Sequence, residues 1–495
     1  MIRFQDLLRR YEYGLFVLLF VVASSFLFWD VNRQLVDYDE ATYAKVVMDT
    51  LQSGNFTTLQ LHGQNWFEKP PLYFWLAMGS VKVFGESEFA FRLPSLLASI
   101  LCCFLVYCII RELTGNRAAA ALGFLVLLFS NSFFVFAREA RLDSAVTAAI
   151  LAALFFYIRG WKNEKYLLWV FPCIAIGFLF KSVIALLAIP IILIYSLVYS
   201  RWRYVSSNYM WCGLGIAILL VVPWHLAESL QFGHLFWDSY ITQHVLHRAI
   251  TTVTGTSSYT DYLILFIPWY LPWNGVLILE ILALTVMSRL QQFDWRLVFR
   301  QVMAPLAVAL FIGTTFTLAR THLAPYIMPA FPFFALGIAV TYHHLSVLFF
   351  KHSRVSVLLE LIMMFALFAG AVFCIHLSPS KVPPYTFDER AIGTLYKEHN
   401  TNNAPLYVLD WLAIETLNYY GNTRAQSINP AVVRGTTLHG PFYLVVQPPG
   451  ATYFFYSNTE PIDPGIKLIY AGTHFLLIYS DNDLQMPMFQ YVPRL

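Results

Sequence analysis

Residues 93–110 read LPSLLASILCCFLVYCII, a run with no charged side chain. A helix rises about 1.5 Å per residue, so a run of this length nearly matches the hydrocarbon thickness of a bilayer. Apolar blocks of similar character recur at 11–29, 118–136, 144–158, 166–180, 183–199, 209–224, 263–286, 302–318, 323–342 and 355–376. Together they predict about eleven spans, or up to about thirteen if longer blocks are split. Composition agrees: 58% of residues are hydrophobic and 12% charged, with a mean hydropathy of +0.58. Those values lie well outside the range of soluble domains.

The expected fold class is therefore an all-α polytopic membrane protein. Lys and Arg cluster in alternate connections, among them Arg9, Arg10, Arg111, Arg117, Arg159, Lys162, Arg201 and Arg203. That bias predicts a cytoplasmic N-terminus, and an odd span count then places the C-terminal segment on the opposite side. The first block follows Arg3, Arg9 and Arg10 but lacks a small-residue cleavage site, so it reads as a retained span. Net charge is +3 with no basic run, so the chain carries no footprint for nucleic acid. Cys102, Cys103, Cys108, Cys173, Cys212 and Cys374 lie in or beside apolar blocks and form no Cys-x-x-Cys pair, which reads as buried, inert thiols.

Three segments are not spans: an outer loop over 30–92, a second over 225–262 that holds His225, His234, His244, His247 and Arg248, and the tail from 378. In the tail, Pro405–Asp410, Phe442–Gln447 and Phe475–Tyr479 read as buried strands, with helices around Asp388–Glu398 and Leu412–Tyr420. The expected division is a transmembrane catalytic domain over 1–377, whose loop 30–92 carries interfacial helices, and a small α/β periplasmic domain over 378–495.

Residues 37–54, DYDEATYAKVVMDTLQSG, have helical apolar spacing, a capping-box pair in Asp37 and Glu40, and Gly54 as a stop. A helix this short cannot cross a bilayer and is expected on the outer membrane face. Asp39, Glu40 and Tyr43 occupy its first turns. The acids there either serve chemistry or simply complement the helix dipole. Residues 65–72, NWFEKPPL, hold Glu68 and Lys69 ahead of two prolines that stiffen the backbone. They read either as groups presented by a rigid turn or as an exposed ion pair at a hinge. Further along, Asp143, Lys181, Arg320, His322 and Tyr326 stand at the predicted outer ends of spans. Ionisable groups at that depth pair or line polar cavities, although any single cation there also has the option of snorkelling. Cations facing carboxylates suit a lipid-phosphate sugar donor: the cations hold the phosphate, and a carboxylate serves the acceptor hydroxyl or the anomeric centre.

The order Asp39-Glu40, Tyr43, Gly54, Phe67-Glu68-Lys69-Pro70-Pro71-Leu72-Tyr73 and Arg92-Leu93-Pro94 resembles the C-superfamily (GT-C) membrane glycosyltransferases. The resemblance is to the branch of lipid A aminoarabinose transferases and protein O-mannosyltransferase-like enzymes, over about residues 11–342. It implies an undecaprenyl-type polyprenyl-phosphate sugar donor, inversion at the anomeric carbon, and a lipid-linked or protein acceptor such as lipid A, lipopolysaccharide or another envelope glycan. It further implies an inner-membrane location. By the same resemblance Asp39, Asp143 and Glu68 are the catalytic carboxylates, and Lys69, His244, Arg248, Arg320 and Tyr326 surround the donor phosphate. Glu40 and Tyr43 line the cavity. No signature requires a cofactor, and a divalent metal near the first-loop carboxylates is compatible with the family. Thr42 stands where the aminoarabinose transferases have Arg, which leaves the sugar and the acceptor open. The competing reading from another class is a lipid or solute transporter, for which intramembrane charges would mark the path.

Overall fold

A computed structural model describes residues 14, 17–35, 39–251, 262, 273–290, 295–350, 386–409, 414–428, 437–446, 456–457, 460–461, 466–472 and 475–485. The chain forms two compact units, one of residues 1–31 and 66–380 and the other of 32–65 and 381–495.

The first unit is helical. Six stretches are long and apolar enough to cross a membrane: Glu88–Thr114, Leu142–Gly160, Glu164–Val198, Asn208–Phe232, Val298–Leu318 and Ala324–Leu348. Sharp local signals bound the first of these. The Ser87 side chain accepts the Ala90 N–H at its start, and Gly115 closes its end in the left-handed region with φ 72°. The Leu142–Gly160 and Ala324–Leu348 windows are 78% and 83% buried, against 22% for Asn208–Phe232. The first two are therefore the most enclosed of the six and the third the most exposed.

Several predicted boundaries move. The block 118–136 is a broken element, Arg117–Leu128 and Asn131–Ala137, bent by 68°. Blocks 166–180 and 183–199 lie within the single stretch Glu164–Val198, but the chain doubles back inside it. A Cβ placed on Gly177 would lie 2.9 Å from the Ala185 Cβ, whereas eight residues of straight helix would separate the two by about 12 Å. The reversal falls at Ser182, which has φ 50° and ψ −136°. The Asn208–Phe232 helix continues through Pro223, so His225 belongs to a helix and not to the predicted loop 225–262. Beyond it, Asp238–His247 is a π-helix. Helices Val17–Phe28, Leu72–Phe84 and Trp273–Val286 are shorter apolar elements. The predicted span 355–376, with Cys374, and the capping residue Asp37 lie outside the described residues.

The second unit carries a five-stranded mixed sheet in the order Gln426–Ile428, Leu406–Leu409, Phe442–Val446, Leu476–Ser480, Ile466–Ala471. The first three strands pair in parallel, and Leu476–Ser480 pairs antiparallel with both of its neighbours. Strand Phe442–Val446 is buried throughout, as expected of a central strand covered on both faces. Ile392, Tyr396 and Leu417, from helices Thr386–His399 and Ile414–Gly421, pack with Leu406, Val408, Val445 and Leu477.

The Asp39–Ser53 helix belongs to this second unit, so residues 32–65 group with the tail and not with 66–92 as the expected division had it. It packs on the Ile414–Gly421 helix. Lys45 Nζ donates to Asn422 Oδ1 at 3.1 Å, the Leu35 N–H donates to Tyr420 Oη at 3.0 Å, and His62 pairs with Glu415 at 3.2 Å. Residues Glu40 to Val47 are all buried. That burial departs from the expected surface-lying helix with one exposed face.

Candidate active site

The rigid turn at 66–71 organises the site in the membrane unit. Phe67 packs on Phe232 and Phe236, with ring centroids 5.0 and 5.7 Å away. Pro71 caps the Leu72–Phe84 helix. Between these anchors stand Glu68 and Lys69. Glu68 Oε2 lies 3.9 Å from Lys69 Nζ, 3.4 Å from His244 Nδ1 and 3.7 Å from Arg248 Nη2. A single carboxylate thus gathers two cations and an imidazole, so the Glu68 and Lys69 pair is part of a larger cluster.

Backbone bonds bring Arg248 there. Its carbonyl accepts the Thr321 N–H at 3.3 Å, and the Ala249 carbonyl accepts the Arg320 N–H at 3.0 Å. The Thr321 hydroxyl donates to the Thr251 carbonyl at 2.7 Å. Lacing 248–251 to 320–321 sets Arg248 Nη1 within 3.4 Å of Tyr326 Oη. The Lys181 ammonium sits 5.0 Å from the centre of the Tyr326 ring and 2.5 Å from Asp143 Oδ1. A chain of contacts therefore runs from Lys69 through Glu68, Arg248, Tyr326 and Lys181 to Asp143.

Asp143 is fixed by its surroundings. It lies in the first turn of the Leu142–Gly160 helix, 5% exposed. Just before that helix, Ser95 Oγ donates to the Arg141 carbonyl at 2.7 Å and accepts the Arg141 N–H at 2.9 Å. Ser95 in turn bonds Tyr73 Oη at 2.9 Å. The Lys181 position follows from the reversal at Ser182, and its pairing with Asp143 is something spacing along the chain did not reveal. Arg320 reaches the cluster by its main chain, with its side chain exposed. Asp39 heads its helix in the second unit, half-buried, beside fully buried Glu40 and nearly buried Tyr43.

Burial pushes the His244 imidazole down to about 4; the Glu68 carboxylate opposes this, while Lys69 and Arg248 add to it. An unfolded histidine titrates near 6.5, so between about 4 and 6.5 the unfolded chain binds the extra proton. This contribution to stability is complete above about pH 6.5 and is lost as pH falls towards 4. Thermal unfolding of detergent-solubilised protein should show a midpoint that drops across that window, and His244→Gln should flatten the drop. An equally steep drop in the variant would contradict the assignment.

For a divalent metal, Glu68 Oε2 and His244 Nδ1 are close enough to share one ion at the usual bond lengths of about 2.0–2.2 Å. They are two donors among nearby cations. Among the described residues no group of three or more His, Cys, Asp or Glu is placed to hold a metal. Water or substrate would have to complete the shell.

Comparison with known proteins bears on this arrangement. Residues 68–226 match the dolichyl-phosphate-mannose-protein mannosyltransferase family, a match that begins at Glu68. The structure superposes on that of ArnT from Cupriavidus metallidurans bound to undecaprenyl phosphate with a TM-score of 0.67 at 18% identity, covering 94% of this chain and 98% of that one. The chain shares the fold of that structure. A second structure with this fold, the arabinofuranosyltransferase AftD from Mycobacteria, gives a TM-score of 0.53 at 12% identity over 94% of this chain and 40% of that one. Among curated sequences, undecaprenyl phosphate-alpha-4-amino-4-deoxy-L-arabinose arabinosyl transferases are similar. The Edwardsiella ictaluri protein is 29% identical over 278 residues, 53% of this chain and 48% of the relative. The Yersinia pestis (strain Pestoides F) protein is 29% identical over 256 residues, 50% and 46% of the two chains. The chain spans about half the length of these relatives. With its long apolar helices, this is an integral membrane protein.

Proposed function

We propose that the protein is an inverting glycosyltransferase that moves a sugar from a polyprenyl phosphate to lipid A, lipopolysaccharide or another envelope glycan at the periplasmic face of the inner membrane. The observation that carries this reading is the gathering of Lys69, Arg248 and Lys181 along one polar chain with Glu68, Tyr326 and Asp143. At the ends of membrane-crossing helices and in the short segments beside them, such a concentration of cations fits a phosphate ligand.

In the proposed reaction the acceptor oxygen attacks the anomeric carbon as the bond to the phosphate oxygen breaks. The polyprenyl phosphate departs with that electron pair. Lys69 and Arg248 neutralise its growing charge, and cations preplaced in this way cost little reorganisation at the moment of reaction. Asp143 holds Lys181 over Tyr326. Asp39 takes the proton of an acceptor hydroxyl or supports positive charge at the sugar. An acceptor phosphate, already ionised, would need no base. The N-terminus is cytoplasmic and the sheet unit periplasmic in this scheme.

One observation favours a protein acceptor instead: the matched family is described by protein mannosyl transfer. The test is transfer from labelled polyprenyl-phosphate sugar by purified protein, together with mass spectrometry of envelope lipids, glycans and proteins with and without the gene. Lys69→Ala should weaken donor binding and lower kcat/KM by about tenfold to a hundredfold, the loss of one charged contact being worth about 1.5–3 kcal/mol. Unchanged donor binding and unchanged turnover in that variant would refute the phosphate role.

A further inference from the structure

The sheet unit holds a cleft that the reaction scheme leaves unused. It has a volume of about 420 Å³ and lies where the end of the Thr386–His399 helix and the following turn meet residues 421–424. That volume is within the usual 300–1,000 Å³ of ligand clefts. Lys397, Asn403, Asn422, Thr423 and Arg424 line it, and no carboxylate does. Lys397 and Arg424 are exposed and form no ion pair among the described residues. Two cations lining one cleft with no carboxylate beside them suit an anionic ligand.

The amides are placed with equal economy. Asn403 and Asn422 sit in left-handed turns, with φ 50° and 44°, a conformation that Asn tolerates and most side chains avoid. Each amide both donates and accepts, as does the Thr423 hydroxyl, which is the chemistry that recognises sugar hydroxyls. Asn422 Oδ1 also accepts from Lys45 Nζ at 3.1 Å. Lys45 lies on the Asp39–Ser53 helix and pairs with Asp49 at 3.0 Å. The cleft and the helix that begins at Asp39 are thus tied within one compact unit.

We propose that this cleft binds an anionic saccharide, with Lys397 and Arg424 on the phosphate or carboxylate and Asn403, Asn422 and Thr423 on the hydroxyls. Given the glycosyltransferase reading, on which its role rests, it captures the acceptor glycan. The test is titration calorimetry on the full-length detergent-solubilised protein with three probes: a bisphosphorylated glucosamine disaccharide, its unphosphorylated form and inorganic phosphate. The phosphorylated disaccharide should bind at least about tenfold more tightly than either control, and Lys397→Gln/Arg424→Gln should remove that advantage without shifting the thermal midpoint. In transfer assays the same variant should raise acceptor KM and leave donor KM unchanged. Equal binding of the neutral disaccharide, phosphate binding as tight as that of the disaccharide, or unaltered binding by the variant would each overturn the proposal. Absence of any transfer alongside selective binding would count against the enzyme reading and leave the cleft standing.

Discussion

Asp39→Asn is expected to reduce sugar transfer by about a hundredfold to ten-thousandfold, the range general-base catalysis supplies, while the protein still inserts and binds donor. The substitution keeps the size and shape of the side chain and removes its charge. A negative charge in the first turn of a helix contributes only about 0.3–1 kcal/mol through the helix dipole, too little to unfold the unit. Loss of activity in folded protein would therefore report chemistry. The measurement is transfer of labelled sugar from polyprenyl phosphate, with donor binding followed separately by competition. A loss smaller than about tenfold would remove Asp39 from the reaction and leave the bland reading, that it merely complements the helix dipole.

The second large effect is on stability. Asp143 and Lys181 are buried together, their side chains 7% and 12% exposed, at 2.5 Å. Removing one member of such a pair leaves the other charge uncompensated and costs about 3–5 kcal/mol. Asp143→Ala should accordingly lower the apparent melting midpoint of the solubilised protein by many degrees. The double variant Asp143→Ala/Lys181→Met should recover most of the loss, because replacing both partners with apolar groups is close to neutral. Activity should stay low in both, which separates the pair's contribution to folding from its place in the reaction. A single variant as stable as the wild type would show that the pair contributes nothing to folding.

Much of the layout was legible in the sequence because it rests on local signals. Apolar runs marked the helices, and Gly54 marked the end of one. In the tail, the runs at 405–410, 442–447 and 475–479 proved to be strands of one sheet. Glu68 and Lys69 were singled out by the two prolines that stiffen the backbone after them, and Asp143 because charges at the ends of apolar blocks are costly. Errors came where an apolar signal continues through a turn or where a turn is not announced. Pro223 did not end its helix, since a membrane helix tolerates proline when its freed backbone groups are met locally. The reversal at Ser182 carries no Gly or Pro signal, and it is what turns Lys181 back to Asp143.

The sequence by itself determined that the chain is a membrane protein of many helices with a small sheet-bearing tail, because hydrophobic length and period are properties of short stretches. It also supplied the residue types needed at a phosphate. Only the tertiary structure decided the groupings. It joined Lys69, Glu68, His244, Arg248, Tyr326, Lys181 and Asp143 into one cluster. It also placed residues 32–65 in a compact unit with 381–495. Those contacts link positions up to hundreds of residues apart, as Lys45 and Asn422 are. They depend on main-chain lacing such as that between 248–251 and 320–321, whose partners no local spacing in the chain encodes.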